Sequence, residues 1–392
     1  MQSSTGTSGE ITGQTALVAC APMSISTAAF PRTFLRYELF EQGNRKGCYP
    51  MKTKLLSLAL GAAAIAMTGT VASAATLDDV KAKGFLQCGV STGFPGFAFT
   101  DDAGNWQGFD PALCRAMAAA IFAGDSNAVK FTPTTGKTRF TALASGEVDV
   151  LARNTTETFS RDVDLKFTFG PVNYYDGQGF MVRKSLGVTS ALNLSGATIC
   201  VQTGTTTELN LADYFRANNM TYEPVPIETN AEAQEKYLAN ACDAYTTDAS
   251  GLSATRSAFE APNDHMILPE IISKEPLGPL VRQGDDQWAD ILKWTLLALI
   301  TAEEKGVTAA NADEMKASST DPDIQRLLGA TEDGFGAMLG LDNDWALNAI
   351  KAGGNYGEIF AKYLGTDTAV GIERGLNALY TDGGLMYAAP IR

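Results

Sequence analysis

Short apolar runs alternate with longer amphipathic stretches along much of the chain. The runs at 85–91, 129–132 and 148–152 are too short for ordinary helices and predict buried strands. Between them, residues 111–124 and 139–145 carry apolar positions at helical spacing and end near glycines. Asp110, directly before Pro111, is expected to cap the first of these two helices. Strands that alternate with helices usually pair in parallel, so the pattern predicts a largely parallel α/β sheet.

The same alternation returns further along the chain, at the predicted strands 197–201, 222–226 and 244–248. Thr205 and Glu208 fit a capping box at the start of a helix. We expect that helix to bury one face, formed by three apolar residues: Leu209, Ala212 and Phe215. The last strand ends at Asp248, the position where open α/β sheets carry their ligands.

Polar residues follow the predicted strand 148–152 directly. Asn154 precedes Thr156, which we expect to begin a helix with Arg161 about one turn inside it. Hydroxyl and N–H donors at a helix start, with a guanidinium close by, form a receptor for a carboxylate, so the pattern indicates a small acid as ligand. The alternative is that Thr156 only caps a helix and Arg161 pairs on the surface with an acidic neighbour, Asp162 or Asp164.

Several motifs stand in one order: Arg-Phe-x-Ala-Leu from Arg139, Gly-Glu-Val-Asp from Gly146, Thr-x-Thr-x-x-Arg from Thr156, and Phe-x-Phe-Gly-Pro-Val-Asn-Tyr-Tyr from Phe167. In this combination the chain, from about Ala75 onwards, resembles family-3 periplasmic solute-binding proteins of ABC importers. It is most similar to the general L-amino-acid-binding branch. The resemblance implies a type II, Venus-flytrap α/β fold with two lobes, two hinge crossings and an extended helical C-terminal segment.

The resemblance also implies roles for individual residues. An aspartate at the place of Asp248 pairs with the ligand's α-ammonium group, although Asp248 is equally suited to cap the next helix. Thr205 and Thr206 add carboxylate contacts from the second lobe. Of the two aromatic residues in the loop after the first strand, Phe94 and Phe97, we expect Phe97 to line the pocket; the alternative is that they fill the core. The expected ligand contacts of lobe one are completed by Asn154, Thr156 and Arg161.

Arg153 bears on specificity. A position inside the pocket would favour acidic or amide side chains, and would indicate a narrower glutamate, glutamine, aspartate and asparagine binder. The alternative is that Arg153 points to solvent and pairs with an acidic neighbour.

The beginning of the chain has the pattern of an export signal. Lys52 and Lys54 precede a short apolar stretch at 55–67, and Ala72-Ser73-Ala74 is a small-residue cleavage site. A membrane anchor would need about 20 apolar residues. We therefore predict a signal peptide at 51–74, synthesis from Met51, a periplasmic mature protein, and an upstream extension at 1–50 that is not native.

The lobes are expected to share the chain unequally. We predict lobe one at 75–182 and 281–392, and lobe two at 183–280, with the first crossing at the extended run 179–182. The segment after the second crossing is predicted to be helical and to brace lobe one.

Four cysteines remain after the signal peptide, in a compartment that permits oxidation. Three pairings are possible. Nearness within each predicted lobe favours Cys88–Cys114 and Cys200–Cys242.

Charge and composition narrow the function further. The net charge is −14 and becomes −17 without residues 1–74, because that segment holds three more basic than acidic residues. Such a surface repels nucleic acid. The one histidine, His265, lies in a polar stretch and is expected to be exposed, and no spacing resembles a zinc site. We predict neither a metal nor a cofactor.

These observations favour a monomeric receptor that binds free, mainly polar L-amino acids and passes them to the permease subunits of an ABC importer. We expect no catalysis. Two alternatives remain: an exported arogenate or prephenate dehydratase-like enzyme on the same fold, and a sensory module that feeds a chemoreceptor.

Overall fold

The computed structural model describes residues 75–331 and 334–392. The predicted extension 1–50 and signal peptide 51–74 lie outside the described residues. The strands, in chain order, are β1 (Leu86–Val90), β2 (Phe99–Thr100), β3 (Trp106–Gln107), β4 (Val129–Pro133), β5 (Val150–Leu151), β6 (Phe167–Phe169), β7 (Tyr174–Asp176), β8 (Gln178–Arg183), β9 (Thr198–Gln202), β10 (Glu223–Ile227), β11 (Ala244–Asp248), β12 (His265–Ile267), β13 (Glu275–Leu277) and β14 (Leu280–Arg282).

The α-helices, in chain order, are α1 (Thr76–Lys83), α2 (Phe109–Ile121), α3 (Arg139–Ala144), α4 (Thr206–Ala217), α5 (Asn230–Leu238), α6 (Ala249–Ser257), α7 (Asp286–Glu304), α8 (Ala312–Ser318), α9 (Pro322–Leu327), α10 (Gly336–Leu339), α11 (Trp345–Gly353) and α12 (Tyr356–Tyr363). A single π-helical turn covers Ser160–Asp164. Among the described helices, none is both long and apolar enough to cross a bilayer.

Two five-stranded sheets form the centres of two lobes. The first has the order β4-β1-β5-β14-β6, and the second has the order β10-β9-β11-β8-β12. In each sheet the first three strands are parallel, as predicted, and the strands after them run antiparallel to their neighbours. The predicted two-lobe α/β fold is confirmed.

The hinge between the lobes is a two-stranded sheet of β7 and β13. β6 and β14 belong to the first sheet, whereas β8 and β12 belong to the second, so the chain crosses between the lobes through both hinge strands. The predicted lobe bounds are therefore wrong by a few residues. The run 179–182 is apolar because β8 is buried between β11 and β12, not because it crosses between lobes. Leu280 in turn already pairs within the first sheet.

The C-terminal segment is helical, as predicted, and it packs on lobe one. α11 lies against α2 and α7, and Trp345 and Ile350 are buried there. The guanidinium of Arg374 donates to both carboxylate oxygens of Glu303, at 2.9 and 3.2 Å. These contacts extend the core of lobe one, and the segment also reaches the hinge, where Asn377 Oδ1 accepts from the Tyr175 N–H of β7 at 2.6 Å.

Both predicted disulfides are confirmed. Cys88–Cys114 joins β1 to α2 within lobe one, and Cys200–Cys242 joins β9 to the residues just before β11 within lobe two. Each bond therefore ties a helix or loop to the parallel core of its own sheet.

Three local predictions are wrong. Asp110 does not cap α2, because the helix begins at Phe109 with Gly108 before it, and Asp110 is buried in the first turn. His265 is buried rather than exposed, because it begins β12 and its Nδ1 lies 3.0 Å from the Tyr237 hydroxyl. In α4, Leu209 is 67% exposed, and the buried face is formed by Thr207, Leu211 and Phe215.

Candidate functional site

A polar cavity lies between the two lobes, at the ends of their parallel strands. It contains about 360 Å³ of unfilled space, including its opening to solvent. Lobe one lines it with Phe94, Arg139, Arg153, Asn154 and Thr156. Lobe two lines it with Gln202, Thr205, Thr206, Thr207, Thr247 and Asp248. The ends of parallel strands are where sheets of this kind bind ligands.

Six of the eight residues predicted for ligand binding lie around this cavity: Arg153, Asn154, Thr156, Thr205, Thr206 and Asp248. Phe97 and Arg161 do not line it. Five further residues line the cavity and were not predicted to do so: Phe94, Arg139, Gln202, Thr207 and Thr247.

Phe97 fills the core of lobe one. It is 1% exposed and packs edge-on against Tyr174, with ring centroids 5.5 Å apart. The tight turn between the two phenylalanines, in which the Phe94 carbonyl accepts from the Phe97 N–H at 3.1 Å, separates their side chains. Phe94 is therefore the aromatic residue of this loop that lines the cavity.

Thr156 does not begin a helix, contrary to prediction. The residue bridges to Leu277, and the next N–H, of Glu157, donates to the Pro276 carbonyl at 2.9 Å, so the hinge strand keeps this backbone extended. The first helical turn comes later, at Ser160–Asp164. A carboxylate at Thr156 would thus meet side chains rather than a helix N-terminus.

Arg161 lies behind Thr156. Its Nη1 donates to the Thr156 carbonyl at 2.6 Å, and the side chain is 6% exposed, so the alternative of a surface ion pair is wrong. Burial lowers the pKa of Arg161 to about 10, while Glu275 and Asp248 oppose this shift. Arg161 therefore contributes positive charge next to the cavity without reaching its wall.

Arg139 begins α3 and lines the cavity, with its Nη1 3.5 Å from the carbonyl oxygen of Asn154. It is 2% exposed, its Nη1 donates to Thr155 Oγ1 at 3.2 Å, and its Nε has no hydrogen-bond partner. Burial, together with repulsion by Arg153 and Arg161, holds its pKa well below the usual arginine range. A buried guanidinium that lines a cavity and has no carboxylate partner favours an anion beside it.

Arg153 is also buried, so the alternative of a solvent-exposed side chain is wrong. Its Nε donates to the Thr134 carbonyl at 3.3 Å. Burial lowers the pKa of Arg153 to about 10, and the carboxyl of Asp110 opposes the shift. Burial in turn raises the pKa of Asp110 to about 7.

Asp248 ends β11 on the opposite wall. Its side chain makes no hydrogen bond to the start of α6, so the alternative role as helix cap is not used. Burial, and then repulsion by Asp176 and Glu275, raises the pKa of Asp248 well above the usual aspartate range. Such a carboxylate gains most from a cation placed beside it.

Two local features shape the remaining wall. Thr205 caps α4, as predicted, by accepting from the Glu208 N–H at 3.3 Å. Asn154 has a positive φ of 32°, a strained conformation for a residue other than glycine and one that occurs often at ligand sites.

The family follows from comparison with known proteins. The model of a family described as bacterial extracellular solute-binding proteins, family 3, matches residues 86–307. The chain belongs to this family.

Three similar proteins cover most of the chain. The general L-amino acid-binding periplasmic protein AapJ of Rhizobium johnstonii is 62% identical over 87% of this chain and 100% of its own length. The glutamate/glutamine/aspartate/asparagine-binding protein BztA of Rhodobacter capsulatus is 61% identical over 83% of this chain and 96% of its own. A solved periplasmic binding protein of an ABC transporter from Brucella ovis, with glutathione bound, is 60% identical, with a TM-score of 0.79 over 81% of this chain and 100% of that one.

Proposed function

We propose that this protein is a periplasmic receptor that binds free L-amino acids with polar side chains and delivers them to an ABC importer. The observation that carries the proposal is the separation of charge across one cavity. Buried guanidinium groups of Arg139 and Arg153 form one side of it, and the carboxylate of Asp248 forms the other. A zwitterion presents the complementary charges to the two sides.

The same separation would couple binding to closure. The cationic groups belong to lobe one and Asp248 belongs to lobe two, so a zwitterion is fully paired only when the lobes are together. A buried charge without a partner costs several kcal/mol, and the ligand therefore favours the closed state by its difference in affinity for the two states. The importer would then distinguish the closed form from the open one.

We assign ligand contacts to Asn154, Thr156, Thr205, Thr206 and Asp248. Arg139 takes the place that Arg161 held in the prediction, because Arg139 lines the cavity and Arg161 lies behind it. Arg153 is assigned to the ligand's side chain.

Acidic and amide amino acids fit the proposal best. Three buried arginines lie in or next to the cavity, whereas a single cation would satisfy the α-carboxylate. The second cation can bind a side-chain carboxylate or amide oxygen. One relative is named for binding glutamate, glutamine, aspartate and asparagine, which matches this preference, whereas the other is named as a general L-amino acid-binding protein.

Glutathione is a second candidate ligand, because the solved protein from Brucella ovis holds it. Its γ-glutamyl end carries a free α-ammonium and α-carboxylate, so the charges proposed to bind glutamate would also bind that end. The remaining part of the tripeptide would have to extend towards the opening of the cavity.

The same proposal includes three further properties: the protein binds its ligand without catalysis, it is exported, and it is a monomer. The two named relatives are binding proteins, and the solved protein from Brucella ovis is a periplasmic binding protein of an ABC transporter. If the protein forms an aromatic product from arogenate, the dehydratase alternative replaces the receptor. An intact mass that begins at or near Ala75 in periplasmic material would support the signal peptide, and peptides from residues 1–49 there would refute it.

Titration calorimetry with the twenty L-amino acids and glutathione tests the proposal. We expect micromolar or tighter binding, about −8 kcal/mol or better, for glutamate, glutamine, aspartate and asparagine. If neither an amino acid nor glutathione binds, the receptor function is refuted. If only glutathione binds tightly, the protein is a receptor for glutathione rather than for free amino acids.

A further inference from the structure

Glu275 is a buried carboxylate in the hinge, and the function proposed above does not use it. It begins β13, is 1% exposed and accepts four hydrogen bonds from side chains. Oε2 accepts from Thr156 Oγ1 at 2.5 Å and from Thr206 Oγ1 at 3.1 Å. Oε1 accepts from Asn210 Nδ2 at 2.7 Å and from Ser273 Oγ at 2.6 Å.

The donors come from both lobes. Thr156 follows β5 of lobe one, whereas Thr206 and Asn210 belong to α4 of lobe two. Thr156 and Thr206 also line the cavity, and their Oγ1 atoms are 3.4 Å apart. One oxygen of Glu275 thus contacts a hydroxyl from each wall of the cleft.

These contacts determine what the two hydroxyls can offer to a ligand. An ionised carboxylate only accepts hydrogen bonds, and a hydroxyl has a single hydrogen to donate. Four donors on two oxygens fit the ionised form, since an acid would carry its own proton on one oxygen. When Thr156 and Thr206 give their hydrogens to Glu275, only their lone pairs remain for the cavity. A ligand group that meets both must therefore be a donor.

We propose that Glu275 is a positioning residue that orients the hydroxyls of Thr156 and Thr206 as acceptors, so that the closed cleft prefers an ammonium group over a plain acid. This inference rests on the proposed amino-acid function and changes one part of its site. From the sequence, these hydroxyls were expected to bind the carboxylate of the ligand. In the closed cleft they serve the ammonium group beside Asp248, and the carboxylate is left to the arginines.

The replacement Glu275→Gln tests the assignment with little change in shape. The amide nitrogen of glutamine donates a hydrogen bond, so at least one threonine hydroxyl must accept from it and turn its own hydrogen towards the cavity. We expect affinity for L-glutamate to fall about tenfold, as for loss of one hydrogen bond to a charged group. Affinity for glutarate, which has both carboxylates but no nitrogen, should not fall.

A second variant separates hydroxyl orientation from the charge of Glu275. Thr206→Val keeps that charge and removes one cavity hydroxyl. It should also lower the affinity for glutamate without lowering the affinity for glutarate. Asn210→Ala removes a donor to Glu275 that does not line the cavity, and should leave both affinities within about threefold of the parent. Glu270→Gln is the matched control, because Glu270 accepts from Ser190 Oγ at 2.5 Å and from the Ala191 N–H at 3.0 Å but does not line the cavity.

The outcomes are distinct. If the parent binds no amino acid, the proposed function is wrong and this inference falls with it. If the parent binds glutamate and Thr206→Val lowers the affinities for glutamate and glutarate equally, or lowers only glutarate, the hydroxyls donate to a carboxylate and the role of Glu275 is wrong. If Glu275→Gln lowers the affinity for glutamate but Thr206→Val leaves it unchanged, the effect comes from the lost charge of Glu275 and not from the orientation of the hydroxyls. That result also overturns the inference.

Discussion

Asp248 is the residue on which recognition of the ammonium group depends. Asp248→Asn keeps the size of the side chain and removes its charge. Truncating one partner of a buried charge pair typically costs about 2–5 kcal/mol. We therefore expect affinity for glutamate to fall at least roughly 30-fold by calorimetry.

Asp264→Asn, at an exposed position of lobe two, is the control for this loss of charge. The unfolding midpoint of Asp248→Asn should not fall below that of the parent, because the side chain makes no cap hydrogen bond and its raised pKa disfavours the ionised form in the folded state. Unchanged glutamate affinity would place the ammonium partner elsewhere.

Binding should depend on pH through the same group. Without ligand, the pKa of Asp248 is raised well above its usual range. An ammonium group beside it favours the charged form and lowers that pKa, so binding releases protons wherever the pH lies between the two values. Affinity should fall as the pH is lowered through that interval.

Calorimetry at about pH 5 and about pH 8, in buffers of different ionisation enthalpy, measures this release. Asp248→Asn should abolish most of it. A parent protein that takes up protons on binding would contradict the assignment.

Asp110 predicts a separate effect on stability. Its folded-state pKa of about 7 is above the unfolded value of 3.8, so the folded state binds more protons between those pH values. The stabilisation is therefore present at low pH and is lost as the pH rises towards 7. Asp110→Asn should flatten this dependence of the unfolding free energy, which is at most about 4 kcal/mol.

Urea denaturation at about pH 5 and about pH 8 compares the variant with Asp213→Asn, an exposed control. If the unfolding free energy changes with pH as much in Asp110→Asn as in the parent, another group is responsible for the dependence.

The positions of single residues were predictable where the neighbouring sequence alone determines them. Asp248 stands at a strand end and Thr205 caps a helix, and both follow from neighbours in sequence. Arg139 and Phe94 were missed for a different reason. A basic residue at a helix start resembles a surface residue, and only the packing of the turn decides which of two phenylalanines meets the core.

Elements were predictable where the pattern of burial is regular. The predicted strand 244–248 coincides with β11, and the other parallel strands agree within a residue or two. The prediction of a helix start at Thr156 was wrong, because Thr156 pairs with β13, a strand that is distant in sequence. Leu277 is far along the chain, and its bridge to Thr156 outweighs the local preference of a threonine for a cap.

The two disulfides join elements within one lobe each and carry a prediction at this scale. Reduction should lower the unfolding free energy by about 2–4 kcal/mol for each bond, largely because the unfolded chain gains freedom. Alkylation of the denatured, unreduced mature protein should find no free thiol at Cys88, Cys114, Cys200 or Cys242. Four modified cysteines would contradict the pairing. The double variant Cys200→Ser, Cys242→Ser lacks only the disulfide of lobe two, so it distinguishes the contribution of that bond from the contribution of Cys88–Cys114.

At the scale of the whole molecule, the two-lobe architecture was predictable from the ordered motifs, but the lobe bounds were not. An apolar run such as 179–182 has the same pattern whether it crosses between lobes or forms a buried strand. The antiparallel pairing of β8 with β11 and β12 decides the matter. The buried cluster of arginines and acids depends on contacts between distant segments, and no local pattern contains it.

The central claim is that the cleft closes on a zwitterion, with both ends of the α-amino acid recognised. Calorimetry of the parent protein with L-glutamate, 2-oxoglutarate and 4-aminobutyrate tests it most directly, because the second lacks the ammonium group and the third lacks the α-carboxylate. We predict tight binding of glutamate and affinities at least roughly 30-fold weaker for the other two. Binding of 2-oxoglutarate or 4-aminobutyrate as tight as that of glutamate would contradict the account.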